Sequence, residues 1–391
     1  MRILLYLPVV TPWWFSAIVE PMLRRLASVA DVHVLAPVPW QNTGLGHNEL
    51  VSCSDLSNVQ WHIIDSNDHP SLRTTPVERD DLLAYIHALS PDIILCRSAD
   101  FATARAFPGT VRYLMEVAAA PFWLADTTIM ITDRPFVNGA MPDLDAADRA
   151  RLDTLIAPLW TDMNAHRDRA TPDRHVVFDQ LGILQDRPVF LLPLEYEHQE
   201  NFFRQHRPDG IGLEQMLATI AADITPHATL VVTDHPLNVS HVDRTALADL
   251  VSELGDHVIL APASVLGVPS TLALVRHAAG MLVGDSKSFA LAAAFGVPMM
   301  RRSSFASADW LDPYSDIPAF VDDVCRGNPR IPSEAATRTW FAHHFANEAF
   351  DPQNPALSGE EIIDRCGRTV NPARWDAGMA RVFAARPEQV H

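Results

Sequence analysis

Two short stretches gather side chains that could handle an anion. The first, Leu230-Val231-Val232-Thr233-Asp234-His235-Pro236-Leu237-Asn238, is an apolar run ending in a polar turn. Open α/β sheets present their ligand groups at strand ends of this kind. Pro236 fixes the turn and restricts His235 to an extended backbone, which aims its imidazole beyond the strand. A histidine held there can donate to a phosphate or carboxylate oxygen, or protonate a leaving group. It can equally be a turn residue without a role. The second stretch, Met281-Leu282-Val283-Gly284-Asp285-Ser286-Lys287-Ser288, repeats the design of strand, glycine turn and polar residues opening a helix. Backbone N–H groups at a helix start, two hydroxyls and a lysine make an anion cradle. Capping by Ser286 or Ser288 would explain one hydroxyl. It gives no reason for Lys287 in a chain that relies on arginine.

The elements that must position these turns can be read from hydrophobic patterning. An apolar run at Ile3 to Leu7, a turn at Pro8 to Pro12, an amphipathic stretch from Phe15 to Ser28 and a second run at Val32 to Ala36 form a β-loop-α-β unit. Further runs at Gln60 to Ile64, Ile93 to Cys96 and Val111 to Met115, with a helix from Val77 to Leu89, extend it. Their uniform apolarity suits parallel strands covered on both faces. Asp145 to Arg169 predicts a long helix, kinked at Pro158, and the segment Gln180 to Arg187 is the expected linker. A second array starts at Pro188. Strands are expected at Val189 to Leu194, Thr229 to Thr233, Val258 to Ala261, Gly280 to Gly284 and Val297 to Met300, with helices at Leu213 to Ala222, Arg244 to Leu254, Thr271 to His277 and Ser288 to Phe295. A chain of 391 residues exceeds one ordinary core. The expectation is an α/β protein of two Rossmann-like domains facing each other across a cleft, residues 1–180 and 188–391.

The strand-His-Pro turn, the Gly-x-Ser-x-Ser loop and a helix ending in Phe295-Gly296-Val297-Pro298 together resemble GT-B glycosyltransferases, in particular the bacterial capsule-polysaccharide type and their sialyl- and Kdo-transferase relatives. The correspondence runs from about Pro188 to Pro298. In that group an HP motif and a serine motif bind the CMP of a CMP-activated sugar acid. The resemblance implies that His235, within the His235-Pro236 motif, meets the donor phosphate and that Ser286 and Ser288 lie near phosphate or nucleotide; Lys287 has no firm counterpart. It also implies a catalytic carboxylate at a strand end in the N-terminal half. Glu116, in Arg112-Tyr113-Leu114-Met115-Glu116-Val117-Ala118, matches that place, with Ala118 where the motif has glycine. Asp126 and Asp133 lie just downstream and could serve instead. Glu195, after the strand Leu192-Pro193-Leu194, stands where the capsule type has glutamine and would contact the base or sugar, or else form interdomain surface. The implied activity is transfer of a CMP-linked sugar acid to a glycan or lipid-linked glycan acceptor, without a metal or other cofactor. A UDP- or GDP-sugar donor, a non-catalytic nucleotide- or glycan-binding protein and a sugar-nucleotide epimerase are the alternatives.

Charge and composition bound the partners. With 30 Lys and Arg against 48 Asp and Glu, the formal net charge of −18 disfavours nucleic acid and anionic lipid surfaces at long range. Cys53, Cys96, Cys325 and Cys366 are far apart with no CxxC pair, which argues against a disulfide framework or a structural zinc site and suits a reducing cytoplasm. The N-terminal apolar run stops at Pro8 and reads as a buried strand rather than a signal segment. No stretch is long enough to span a membrane, and peripheral membrane contact is open to the chain. Trp13, Trp14 and Phe15 could stack on a sugar or simply pack under the first helix. His343-His344 is expected on a polar helix surface.

Overall fold

The computed structural model describes residues 1–40, 42–64, 79–98, 100–119, 123–198 and 201–384. They form two compact units. Unit 1 contains the chain up to Pro135 and the segment from His343 onward, and unit 2 is built from the chain between Phe136 and Ala342. A division at 180–188 separates the two sheets. The helices Ala146–Ala170 and Arg174–Leu181, however, belong with unit 2, and the last helices belong with unit 1.

The sheet of unit 1 has six strands: β1 (Arg2–Tyr6), β2 (Asp31–Pro37), β3 (Val59–Ile64), β4 (Ile93–Cys96), β5 (Thr110–Glu116) and β6 (Ile129–Thr132). They lie in the order β3-β2-β1-β4-β5-β6. Leu4 pairs with His33 on one side and Ile94 on the other, all parallel, while β6 returns antiparallel against β5. The order reverses between β1 and β4, which is where Rossmann sheets bind ligands. The stretch expected as one helix from Phe15 to Ser28 is instead a turn at Pro12–Trp14, a π-helical turn at Phe15–Val19 and a helix at Glu20–Leu26. Pro21 accounts for the break, because it has no N–H to give to Ala17 O. Gln353 Nε2 donates to that carbonyl in its place, at 3.2 Å. Phe15, Ile18, Met22 and Leu26 face a core that Phe350, Leu357, Ile362 and Cys366 help to fill.

Unit 2 carries β7 (Val189–Pro193), β8 (Thr229–Thr233), β9 (Val258–Leu260), a short antiparallel hairpin of β10 (Ser264–Val265) and β11 (Val268–Pro269), β12 (Gly280–Val283) and β13 (Met299–Arg301). Its five-stranded sheet runs β13-β12-β7-β8-β9, entirely parallel. That is a second Rossmann order, reversing between β7 and β12. The two Rossmann-like domains expected of a GT-B chain are therefore present. Phe190, Leu217, Ile220, Ile224 and Phe320 are fully buried at the centre of the core of unit 2. Asp145 caps the helix Ala146–Ala170 by accepting the Asp148 N–H at 2.8 Å, and the helix runs on through Pro158. Part of the expected linker is helical: Arg174–Leu181 ends on Gly182 at φ +68°, the left-handed position that glycine takes without strain.

All four cysteines are free thiols. No helix among the described residues is long and apolar enough to cross a membrane. His343 and His344 are not on the surface. Both are 1% exposed, because a π-helical turn at His344–Glu348 rotates the end of the helix Glu334–His343 inward, where Trp375 packs on it.

Candidate functional site

The turns singled out in the sequence meet at the switch point of unit 2. Glu195 follows β7, His235 follows β8, and Gly284 to Ser288 follow β12. Asn238 joins the first two: its Nδ2 donates to Glu195 O at 3.0 Å and to Asp234 Oδ1 at 2.8 Å, and its Oδ1 accepts the Glu197 N–H at 2.9 Å. It is completely buried, so every polar atom of its amide needs such a partner. Glu195 joins the first and third turns. One carboxylate oxygen, Oε1, accepts the backbone N–H groups of both Asp285 and Ser286, at 2.7 and 3.1 Å. The approach is so close that a Cβ on Gly284 would stand 2.2 Å from that oxygen, which is why residue 284 has no side chain.

The rest of the loop is built to hold this arrangement. Asp285 is buried and bonds Arg301 Nη2 at 2.8 Å, and it also accepts from the Ser303 hydroxyl. Arg301 in turn donates to Phe136 O at 2.6 Å and to Ser307 Oγ at 3.0 Å, tying the segment after β13 to the loop. Ser286 Oγ and Ser288 Oγ are 2.6 Å apart, and the helix Ser288–Ala294 begins at the second of them. Lys287 sits between them, partly exposed, and is the only lysine in the chain. Burial and the neighbouring Asp285 carboxylate push the Glu195 pKa up to about 7, against the two N–H bonds and Arg207. Burial likewise raises Asp285.

His235 stands at the start of the 3-10 turn Pro236–Ser240, extended at φ −78° as the following proline requires. Its Nδ1 accepts the Leu237 N–H at 3.2 Å, so the neutral ring carries its proton on Nε2. The ring stacks on Tyr196, with centroids 5.5 Å apart. Tyr196 Oη lies 3.0 Å from His241 Nε2, and His198 meets His241 edge to face at 4.9 Å. Sequence patterning missed this ring cluster, and with it Asn238 and Arg301. The one signal for Asn238 was its place inside the turn, four residues after Asp234.

In unit 1 the switch point is filled by Trp14, Arg97 and Glu116. Arg97, just past β4, forks onto Glu116 at 2.7 and 3.2 Å. Trp14 Nε1 donates to Glu116 Oε1 at 3.1 Å, and the Arg97 guanidinium lies 4.3 Å from the Trp14 ring centroid. Trp14 and Phe15 are buried and Trp13 is exposed. Two residues beyond Glu116, the Ala118 N–H donates to His344 Nε2 at 3.2 Å, and Glu348 accepts from His344 Nδ1 at 2.6 Å. Burial alone would raise the Glu348 pKa, but the bond from His344 and the neighbouring His343 lower it. Asp126 and Asp133 are both exposed. The register pairs Glu116 with Ile129 and Tyr113 with Thr132, so Asp126 lies at the Glu116 end of β6 and Asp133 at the other end. Among the described residues no group of three or more His, Cys, Asp or Glu side chains is set to hold a metal ion.

No family model matches the sequence, and no curated protein matches it. Solved structures similar to the chain include KpsC of Thermosulfurimonas dismutans, a beta Kdo 2,7 transferase, at 13% identity, with 83% of this chain and 97% of that chain covered and a TM-score of 0.46. The apo form of the lipopolysaccharide outer core galactosyltransferase WaaB is 12% identical, with 95% and 100% covered and a TM-score of 0.38. UDP-GlcNAc 2-epimerase from Methanocaldococcus jannaschii is 13% identical, with 93% and 97% covered and a TM-score of 0.28. With every TM-score under 0.5, none of these likenesses bears on donor, acceptor or reaction.

Proposed function

We propose that the chain is a glycosyltransferase that draws on a nucleotide-activated sugar, with a CMP-linked sugar acid as the favoured donor and a glycan or lipid-linked glycan as acceptor. The observation that carries this reading is the convergence of three strand-end turns at the switch point of unit 2. There His235 presents Nε2–H and Ser286 and Ser288 present hydroxyls within one loop system held by Glu195 and Asn238. Glycosyl transfer needs charge stabilised on the departing phosphate and a proton taken from the acceptor hydroxyl. His235 and the serine loop serve the first need. Glu116 is assigned the second, with Asp126 and Asp133 as the other carboxylates to test.

Donor identity is tested by thermal shift with CMP, CDP, UDP and GDP. A ligand at a hundred times its Kd stabilises the state it binds by about 2.7 kcal/mol. Stabilisation by CMP and CDP is expected, and stabilisation by UDP or GDP alone would reject the CMP assignment. Since Lys287 is the only lysine, amine acylation followed by mass spectrometry reports on this loop directly. The bound nucleotide should protect Lys287 from acylation.

A second reading, a nucleotide- or glycan-binding protein without transferase activity, is favoured by one observation. Arg97 and Trp14 together direct three N–H donors at the Glu116 carboxylate, the group that transfer would require to accept a proton. Transfer detected with the wild-type chain rejects this second reading, and Glu116→Ala then tests the base. Transferase activity lost in E116A supports the assigned base, and activity kept at the wild-type rate moves the role to Asp126 or Asp133.

A further inference from the structure

The amides best placed to cradle an anion at the switch point of unit 2 already hold one, and it belongs to the chain itself. Oε1 of Glu195 takes the N–H groups of Asp285 and Ser286, the position in which a phosphate oxygen would sit at such a strand-to-helix turn. The contact is designed in, because only a residue without Cβ at position 284 lets the carboxylate reach those amides. A second carboxylate, Asp285, lies in the same loop and is neutralised by Arg301.

Resting on the nucleotide-binding reading above, we propose that Glu195 is the residue that couples ligand binding to a proton: a phosphate entering this loop converts the Glu195 carboxylate to the neutral acid. A phosphate brings negative charge beside Glu195 and Asp285, and neutral Glu195 still accepts both amide bonds through its carbonyl oxygen. The charged groups facing Glu195 are Asp285, which disfavours its charge, and Arg207 and Arg301, which favour it; Arg301 and His206 also bear on Asp285. Arg301 is engaged by Asp285, and Arg207 by the buried Glu197, so Lys287 is the cation the loop brings to an incoming phosphate, and the charge it does not offset falls on Glu195. In the ligand-free protein Glu195 titrates at about 7. Above that pH it must gain a proton on binding, and below it the proton is already present.

The affinity should therefore fall by up to about tenfold per pH unit above pH 7. The phosphate's own second ionisation, near pH 6, lies outside this window. The test is isothermal titration calorimetry of the full chain with CMP and with UDP, from pH 7.0 to 8.5, in buffers of different ionisation enthalpy. Glu195→Gln is the comparison, since its amide oxygen can keep both backbone bonds, and thermal unfolding confirms its fold. Expected are uptake of up to one proton and a falling affinity in the wild type, with no proton uptake and level, tighter binding at pH 8.5 in E195Q. Binding without proton uptake in the wild type, or an unchanged slope in E195Q, overturns the inference and leaves nucleotide binding intact. Weaker binding of E195Q at every pH also overturns it, by making Glu195 a direct contact to ligand hydroxyls. If neither nucleotide binds, the donor reading and the inference fall together.

Discussion

Substituting Gly284 by alanine separates the geometry of the Glu195 contact from its chemistry. Gly284 has no left-handed φ, so alanine brings no backbone strain. The three atoms nearest its Cβ would all belong to the Glu195 carboxyl group, with Oε1 at 2.2 Å and Cδ at 2.6 Å. That group is the end of a flexible side chain, and the expected outcome is that Glu195 swings out and abandons the two amides. At pH 5.5 the wild-type side chain is mostly the neutral acid, because its pKa is about 7. Two hydrogen bonds of about 1 kcal/mol each are then lost, a cost of about 2 kcal/mol below pH 4.5 that ionisation of the freed carboxyl group cuts to about 0.6 kcal/mol at pH 5.5. At higher pH the balance changes. Folded Glu195 has a pKa raised from 4.5 to about 7. Its contribution to stability is thus fully present below the unfolded pKa and is lost as pH rises through 7, at up to about 1.4 kcal/mol per unit. In G284A the carboxylate reaches solvent and escapes this loss, so the difference between the two proteins should pass through zero near pH 6 and reverse by about 1.4 kcal/mol in favour of G284A by about pH 8.5. Urea unfolding at pH 5.5, 7.0 and 8.5 measures it, with hydrogen exchange of residues 281–288 assigning the transition to unit 2, as a chain of two units need not unfold in one step. In a Glu195→Ala background, alanine at 284 should be neutral or stabilising by about 0.4–1 kcal/mol. A cost that does not change with pH, or that persists in the E195A background, would refute the reasoning.

The Asp285 and Arg301 side chains, each 4% exposed, should behave as one object. Arg301→Ala leaves the Asp285 charge buried and should cost about 3–5 kcal/mol in urea unfolding, whereas the double variant D285A/R301A should cost clearly less than the sum of the two single changes. Additive costs would show that the pair is not coupled. In unit 1, His344→Ala removes both the acceptor for Ala118 N–H and the donor to Glu348. It should destabilise by about 2–4 kcal/mol and speed hydrogen exchange at Ala118, while His344→Gln, with a single carbonyl oxygen to offer, should restore part of that protection. Unchanged exchange at Ala118 in H344A would remove His344 from any role in holding the Glu116 loop.

Much of the architecture could be read in advance because parallel strands buried on both faces are uniformly apolar. Ile3 to Leu7, Ile93 to Cys96 and Thr229 to Thr233 announce themselves, and His235 and Ser286 are visible as polar residues closing such runs. β6 was not visible. Ile129-Met130-Ile131-Thr132 is four residues long, alternates buried with half-buried, and lies at a sheet edge where an antiparallel partner rather than composition defines it. The working contacts of the site were hidden for a different reason. Glu195 meets Ser286 across 91 positions of sequence, and Arg301 meets Phe136 across 165, separations that local patterning does not span. The burial of His343 and His344 likewise depends on Trp375, contributed by a later helix, and on a π turn that shifts the phase of the helix face.

The return of the chain to unit 1 after residue 342 also sets an order of assembly during synthesis. Domains fold as units, the earlier ones first as the chain emerges. Here the first strand of the protein belongs to the unit that is completed last, since Phe350, Leu357, Ile362 and Cys366 close its core. While unit 2 is being translated, the six-stranded sheet must wait without its final layer. A nascent chain that has emerged from the ribosome only as far as residues 342 to 362 should carry a finished unit 2 and an unfinished unit 1 that is open to proteases and chaperones.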